Sequence, residues 1–519
     1  MSDKPGPGGE TLSTLLAAQP GSRRAFAVPD DGQELSYGEA ADRVEALAAS
    51  LAGAGVRRGD RVALSLPNGP DFVLLLLAVT MLGAAAAPLN PAYTESEYTF
   101  YLDDIAPRVF LMPASMPAPA LAAAKETGTT VLAAGAADGG GPPVLLAGGQ
   151  PVTPRPGFEH GEPDDVAVVL HTSGTTSRPK QVPLRQRNLM ASARNIAAHY
   201  RLTGADISFC VMPLFHVHGL VASTFATLGA GGTVIAPRRF TPRRFWQQAR
   251  AYQPTWLSAG PTLHRMILDR EDTGGAPGSL RFVRSCSSAL APALLERAEN
   301  SYGAVMLEAY GMTEASHQLT SNPLPPAARV PGSVGVATGT EIGVAAPGGS
   351  LLPAGQPGEV VIRGPGVMSG YVANPAATAE AFYGDWFRTG DQGVLREGYL
   401  YLEGRLKEMI IRGGENIAPA EIEEILLSHP AVSDAVCFGV ADDKYGELVA
   451  AAVTLTQDTE SAALIDHCRV RLAPFKVPVA VHVLDAIPRT PTGKVQRRRV
   501  GEFVTGRPAG PPPGGQAAR

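Results

Sequence analysis

Short apolar runs of strand character alternate with longer runs of helical period through most of the chain, and no other feature restricts the fold as much. Arg61-Val62-Ala63-Leu64-Ser65-Leu66 reads as a buried strand, and Phe72 to Leu82 as a buried helix packed on it. Val109–Met112, Val166–Leu170, Thr255–Ser258 and Phe282–Cys286 read as further strands. Leu35–Leu51, apolar at i, i+3 and i+4, and Asn188–Tyr200 read as helices. Strands separated by helices pair in parallel through crossovers. The expected fold is therefore α/β: a large N-terminal domain of parallel-rich sheets with flanking helices.

At 519 residues the chain is too long for one core. Past the strand-like Tyr399–Leu402 the sequence turns strongly charged, Glu403-Gly404-Arg405-Leu406-Lys407-Glu408, which marks a boundary. Helices at Ala420–Leu427 and Ile465–Leu472 with strands at Ala435–Val440 and Val449–Thr456 then describe a small α+β domain. The expected organisation is a large domain over 12–402, a hinge at 403–407, a small mobile domain over 408–504 and a disordered Pro/Gly-rich tail over 505–519. Ser115 to Gly161, rich in Ala, Gly and Pro, is expected to mix a helix with a variable loop.

Composition removes several classes of function. A net charge of −5 provides no basic surplus for nucleic acid. The apolar run Phe72–Ala87 contains Thr80 and Gly83, ends at Pro88 and falls short of the roughly 18 residues of a membrane span. Cys210, Cys286, Cys437 and Cys468 are widely spaced and read as reduced thiols. With no basic-then-apolar signal pattern in the first residues, the expected location is cytoplasmic.

The chemistry is concentrated in a few loops. After the strand ending at Leu170 comes His171-Thr172-Ser173-Gly174-Thr175-Thr176-Ser177-Arg178-Pro179-Lys180-Gln181. Its backbone N–H groups, hydroxyls and two cations suit a polyphosphate, although alone it reads equally as a polar surface loop. In Glu308-Ala309-Tyr310-Gly311-Met312-Thr313-Glu314, Thr313 can donate to a phosphate and Glu314 offers a hard oxygen ligand for Mg²⁺. Asp391, after a glycine turn, can accept both hydroxyls of a ribose. His216 and His218 lack a third metal ligand at suitable spacing, so His216 reads either as a pocket-lining side chain or as a buried hydrogen-bonded one. Lys494 follows a glycine in Pro491-Thr492-Gly493-Lys494.

In this order, Thr172–Lys180, Tyr310–Glu314, Phe387–Asp391, Gly404–Glu421 and Pro491–Lys494 resemble the adenylate-forming superfamily of acyl-CoA synthetases, nonribosomal adenylation domains and luciferases. The resemblance spans roughly Leu35 to Arg498 and is strongest to the oxalyl-CoA synthetase branch. It rests there on His171–Lys180, Leu214–Leu220, Arg284–Ser287 and Thr313–Pro323. It implies an AMP-forming acid–thiol ligase in which a carboxylate attacks Mg·ATP, giving an acyl-adenylate that CoA then captures. By the same resemblance Thr172, Ser173, Gly174, Thr175, Thr176 and Lys180 hold the β- and γ-phosphates, and Thr313 the α-phosphate. Glu314 takes Mg²⁺, Glu308, Ala309 and Tyr310 flank the adenine, and Asp391 and Arg405 hold the ribose. Lys494 bridges carboxylate and α-phosphate, where preorganised donors act on developing charge. His216, Gly260, Ser287, Gly311 and His317 are expected around the acid. Lys407 matches the hinge, and Gly413-Gly414 the turn that reaches the thioester site.

Two departures from the family pattern carry expectations. Gln181 stands where the family has glycine, which predicts weakened or lost adenylation and a chain that captures a preformed acyl-adenylate from a separate adenylating enzyme. Gly260 and Gly311 stand where the oxalate branch suggests larger residues, which predicts a bulkier acid from secondary metabolism. The competing expectations are an ordinary two-step small-acid CoA synthetase, an enzyme loading a carrier protein, and a retired nucleotide-binding protein. Expected partners are the acid or its adenylate and CoA, with neither nucleic acid nor membrane.

Overall fold

The computed structural model describes residues 10–135, 144–172, 179–270, 274–413, 415–489 and 495–506. Among the described residues, two large sheets dominate. The eight-stranded sheet runs 180–185, 166–172, 85–88, 61–64, 109–113, 131–135, 144–147 and 150–151; the nine-stranded sheet runs 336–337, 317–321, 305–312, 282–285, 256–259, 207–209, 233–235, 24–27 and 34–36. Their central strands pair in parallel, as the helix–strand alternation predicts. The expected α/β class with a large N-terminal and a small C-terminal domain is the observed one.

The helix Pro70–Met81 shows why the sheets pack as they do. Phe72 to Val79 are all at most 1% exposed, so this helix is apolar on every face and sits inside the core. Truncating Leu75 to Ala would cost about 2–5 kcal/mol. The helix Tyr37–Gly53 starts where Ser36 accepts from the Glu39 N–H and Glu39 reaches back to the Ser36 N–H, a capping box. Ser36 itself ends the edge strand Glu34–Ser36, which the sequence reading absorbed into the helix. Between 115 and 161 the expected helix is Ala118–Glu126, but Val131–Gly135 and Val144–Ala147 extend the sheet edge as strands.

A third sheet carries 341–345, 358–363, 386–396 and 382–383, with 399–405 paired to 386–396. The strand Tyr399–Arg405 continues through the charged stretch, because Arg405 still pairs with Asp391 across the ladder. The small domain has a sheet of 415–417, 410–412, 446–455 and 432–442, with 480–483 added in parallel to 446–455. Cys210, Cys286, Cys437 and Cys468 are buried and unpaired. No helix among the described residues is long and apolar enough to cross a membrane.

Candidate active site

Strands 207–209, 256–259, 282–285 and 305–312 run parallel, so the segments after them meet at one edge of the nine-stranded sheet, where ligands of such sheets bind. At that edge Arg284 is fully buried. Its Nε donates to the Tyr200 hydroxyl (2.9 Å) and its Nη1 to Ser258 Oγ (2.7 Å); Nη1 also lies 3.3 Å from Nε2 of both His218 and His317. No acidic side chain among the described residues pairs with it, and Nη2 has no hydrogen-bond partner. A buried cation left uncompensated is costly, which points to an anionic ligand as its complement.

The guanidinium is a donor only, so it orders the protons around it. Ser258 Oγ accepts from Arg284 and lies 2.6 Å from His218 Nε2, to which its hydroxyl donates. His218 then carries its proton on Nδ1 and donates to Ser287 Oγ at 3.2 Å. Burial, with the His317 and Arg284 fields added, holds His218 well below the ordinary imidazole value and therefore neutral. His218 opens the π-helical turn His218–Phe225, a backbone irregularity common at functional sites. Ser287 sits at φ 82, a left-handed conformation rare for a non-glycine residue.

A second cluster lies where strand 305–312 meets the third sheet. Asp391, 6% exposed, accepts from the Tyr310 hydroxyl at 2.5 Å and pairs with Arg405 Nε at 3.1 Å. Glu308 accepts from the Gly332 N–H at 3.1 Å, and burial raises its carboxyl to about 7. Thr313, Glu314 and Ala315 form a 3₁₀ turn at the end of the strand. Glu314 Oε1 accepts from the Tyr371 hydroxyl at 3.2 Å, and Lys180 Nζ stands 4.6 Å from the centre of the Tyr371 ring. No group of three His, Cys, Asp or Glu among the described residues could form a protein-only metal cage. A single buried carboxylate beside a lysine instead fits Mg²⁺ held largely by phosphate oxygens.

The structure thus brings together Ser287 and His317 with Arg284, and Tyr310, Asp391 and Arg405 with one another. His216 lies half-buried against Phe215, and it is His218 that joins the Arg284 network. Ser258 and Tyr371 carry no role in the sequence reading, Arg284 enters only within the stretch Arg284–Ser287 and His218 only as the neighbour of His216, since nothing in local spacing marks a residue that acts through distant strands. A buried-strand arginine in Phe282–Ser285 was the one available signal. Gly311 is small for a backbone reason: an added Cβ would stand 1.9 Å from the His317 carbonyl oxygen. Gly260 differs, because a Cβ there would meet only the Cys286 carbonyl at 3.5 Å. Lys407 is exposed in the turn Leu406–Glu408, and Gly413 donates its N–H to the Tyr445 carbonyl. Ser173, Gly174, Thr175, Thr176, Gly414 and Lys494 lie outside the described residues.

Gln181 pairs with His171 across the strands 180–185 and 166–172, and its backbone takes no left-handed φ. Its Nε2 donates to the Asp104 backbone carbonyl (2.7 Å) and carboxylate (2.6 Å), and its Oε1 accepts from Arg61 at 3.3 Å. Side chains alternate along a strand, so Gln181 projects opposite to Lys180 and away from Glu314.

Comparison with known proteins agrees with this geometry. The AMP-binding enzyme family matches residues 15–372, and the AMP-binding enzyme C-terminal domain matches residues 421–494. An oxalate–CoA ligase of Arabidopsis thaliana is 44% identical, with 96% of this chain and 99% of the relative covered. A sulfoacetate–CoA ligase of Cupriavidus necator is 38% identical, covering 95% and 97%. Among solved structures, ATP-bound MatB from Rhodopseudomonas palustris superposes with a TM-score of 0.85 at 30% identity, covering 95% of this chain and 98% of that one. The chain belongs to the AMP-binding enzyme family, as an AMP-forming acyl-CoA ligase close to the oxalate–CoA ligases.

Proposed function

We propose that the chain activates a small acid bearing a second anionic group, first as its adenylate and then as its CoA thioester. The observation that carries this reading is Arg284: fully buried, paired with no carboxylate among the described residues, and ringed by Ser258, His218 and His317. Oxalate and sulfoacetate, named in two relatives, both carry such a second anion.

In this reading Glu308, Ala309 and Tyr310 flank the adenine, while Asp391 and Arg405 take the ribose hydroxyls. Thr313 donates to the α-phosphate. Thr172 and Lys180 bracket the loop that holds the outer phosphates, and Glu314 holds Mg²⁺. When bound, the metal supplies charge neutralisation at the phosphates. The acid's far anion sits towards Arg284, which leaves its near carboxylate facing the α-phosphate. Lys494 is assigned to that reacting pair, Lys407 to the hinge, and Gly413 with Gly414 to the thioester step.

The contacts of Gln181 favour the complete two-step reaction over capture of a preformed adenylate alone, since its side chain engages Asp104 and Arg61 rather than the phosphate side. The backbone demand at Gly311 likewise favours a small acid, with only Gly260 leaving room for a larger one.

The test offers purified protein CoA and Mg·ATP with oxalate, sulfoacetate, acetate or ferulate, and in parallel CoA with a preformed oxalyl-adenylate. Thioester formation from oxalate or sulfoacetate at least tenfold faster than from acetate is the expected result. Preference for ferulate, or turnover only from the preformed adenylate, would overturn the reading.

A further inference from the structure

Tyr371 touches both charged groups of the phosphate end. Its ring face carries Lys180 Nζ at 4.6 Å, and its hydroxyl donates to Glu314 Oε1 at 3.2 Å. The backbone around it is tied to the same two partners. Met368 donates its N–H to the Glu314 carbonyl (2.8 Å), and Val372 donates its N–H to the carbonyl of Gln181, the neighbour of Lys180 (3.1 Å). Gly370 makes the bend possible: its φ is 145, and an added Cβ would stand 2.6 Å from Thr378 Cγ2. Thr378 Oγ1 in turn accepts from the Tyr371 N–H at 3.0 Å. The phenol is therefore fixed at its backbone, at its ring and at its hydroxyl.

We propose that Tyr371 is a positioning residue for the adenylation half-reaction, holding the Lys180 ammonium and the Glu314 carboxylate apart and aimed for the triphosphate and its Mg²⁺. This rests on the AMP-forming ligase reading above. A lysine and a glutamate left near each other without a spacer collapse into an ion pair, and each then has to be freed before it can serve a phosphate or a metal. Lys180 makes no ion pair among the described residues; its ammonium rests on the ring, an attraction that a phosphate oxygen readily replaces. The hydroxyl occupies one Glu314 oxygen by hydrogen bonding, which orients the carboxylate without neutralising it. Tyr371 touches no atom that reacts, so its effect is confined to steps that use the outer phosphates.

Two variants separate the parts. Tyr371→Phe keeps the ring and removes the hydroxyl; Tyr371→Leu removes both. Calorimetry of ATP and of AMP binding, with and without Mg²⁺, is combined with thioester formation from a preformed acyl-adenylate, which needs neither outer phosphates nor metal. Tyr371→Phe is expected to bind ATP without Mg²⁺ as wild type does but to lose about tenfold in the Mg²⁺-dependent gain, the scale of one hydrogen bond to a charged group. Tyr371→Leu is expected to lose a further threefold or so in Mg²⁺-free ATP binding, the scale of one cation–π contact. Both variants should keep wild-type AMP binding and thioesterification. Wild-type Mg·ATP affinity in both variants, or AMP binding and thioesterification falling in parallel with ATP binding, would overturn the proposal. Wild-type protein that neither binds AMP nor forms thioester from the adenylate would instead overturn the ligase reading itself.

Discussion

Lys180 and Gln181 are neighbours in one strand, yet they serve opposite faces of the eight-stranded sheet: Lys180 rests 4.6 Å above the Tyr371 ring, while Gln181 donates to the Asp104 carboxylate at 2.6 Å. The period of two along a strand produces this division, and it sets the Gln181 side chain against Asp104 and Arg61. Gln181→Gly is therefore expected to change ATP–pyrophosphate exchange by less than about threefold, an energy close to RT. It should instead lower stability by about 1–2 kcal/mol through the lost bonds to Asp104 and Arg61. Exchange assays and urea denaturation read the two effects separately.

Arg284 is the group whose loss should divide activity from stability. Arg284→Met is expected to lower kcat/KM for oxalate by about 10²-fold, the scale of a charge-assisted hydrogen bond of about 1.5–3 kcal/mol. Ser258 and His218 keep their mutual bond at 2.6 Å and Tyr200 keeps Ser321 at 2.7 Å. An unpaired buried cation is also replaced by apolar volume, so thermal unfolding should stay level or rise slightly. A parallel loss of activity and stability would assign Arg284 to packing alone.

Glu308 makes stability depend on pH in a stated direction. Its carboxyl is raised from 4.5 to about 7 by burial, against the Gly332 N–H and the Arg329 charge. Below about 4.5 both folded and unfolded forms carry the proton. Between 4.5 and 7 only the folded form keeps it, so stability falls as pH rises and levels off above 7. Glu308→Gln abolishes that fall. The stability of the variant relative to wild type should grow by about 2–3 kcal/mol between pH 5 and pH 8, measured by chemical denaturation at each pH.

Gly311→Ala tests whether the small residue there serves the acid or the backbone. With the added Cβ 1.9 Å from the His317 carbonyl oxygen, the strands 305–312 and 317–321 have to move apart. The expected cost is about 3 kcal/mol or more in stability, with activity falling for every acid alike. A variant of wild-type stability that merely rejects larger acids would return Gly311 to the acyl pocket.

The Tyr310–Asp391–Arg405 cluster was legible in the sequence because the motifs that carry it are local. Glu308 to Glu314 and Gly390-Asp391 carry turn-forming, small and acidic residues at fixed spacing, and the structure sets Tyr310, Asp391 and Arg405 in mutual contact. The Arg284 cluster was legible only at Ser287 and His317, because its centre is an arginine inside an ordinary-looking strand. The choice between His216 and His218 could not be made from an i, i+2 pair either; it depends on the π-helical turn that carries His218 to Ser258 and Ser287. Gln181 was legible as a departure but not as a contact, since Asp104 and Arg61 lie on other elements of the sheet layer.

By itself the sequence determined the α/β class and the motifs that mark the family, for strand and helix periods and turn chemistry are properties of neighbours along the chain. The tertiary structure alone decided which side of the sheet Gln181 faces, which histidine meets Arg284, and that Tyr371 stands between Lys180 and Glu314. Those facts are fixed by strand register and by burial, which bring together groups far apart in sequence and leave Arg284 buried without an acidic partner among the described residues.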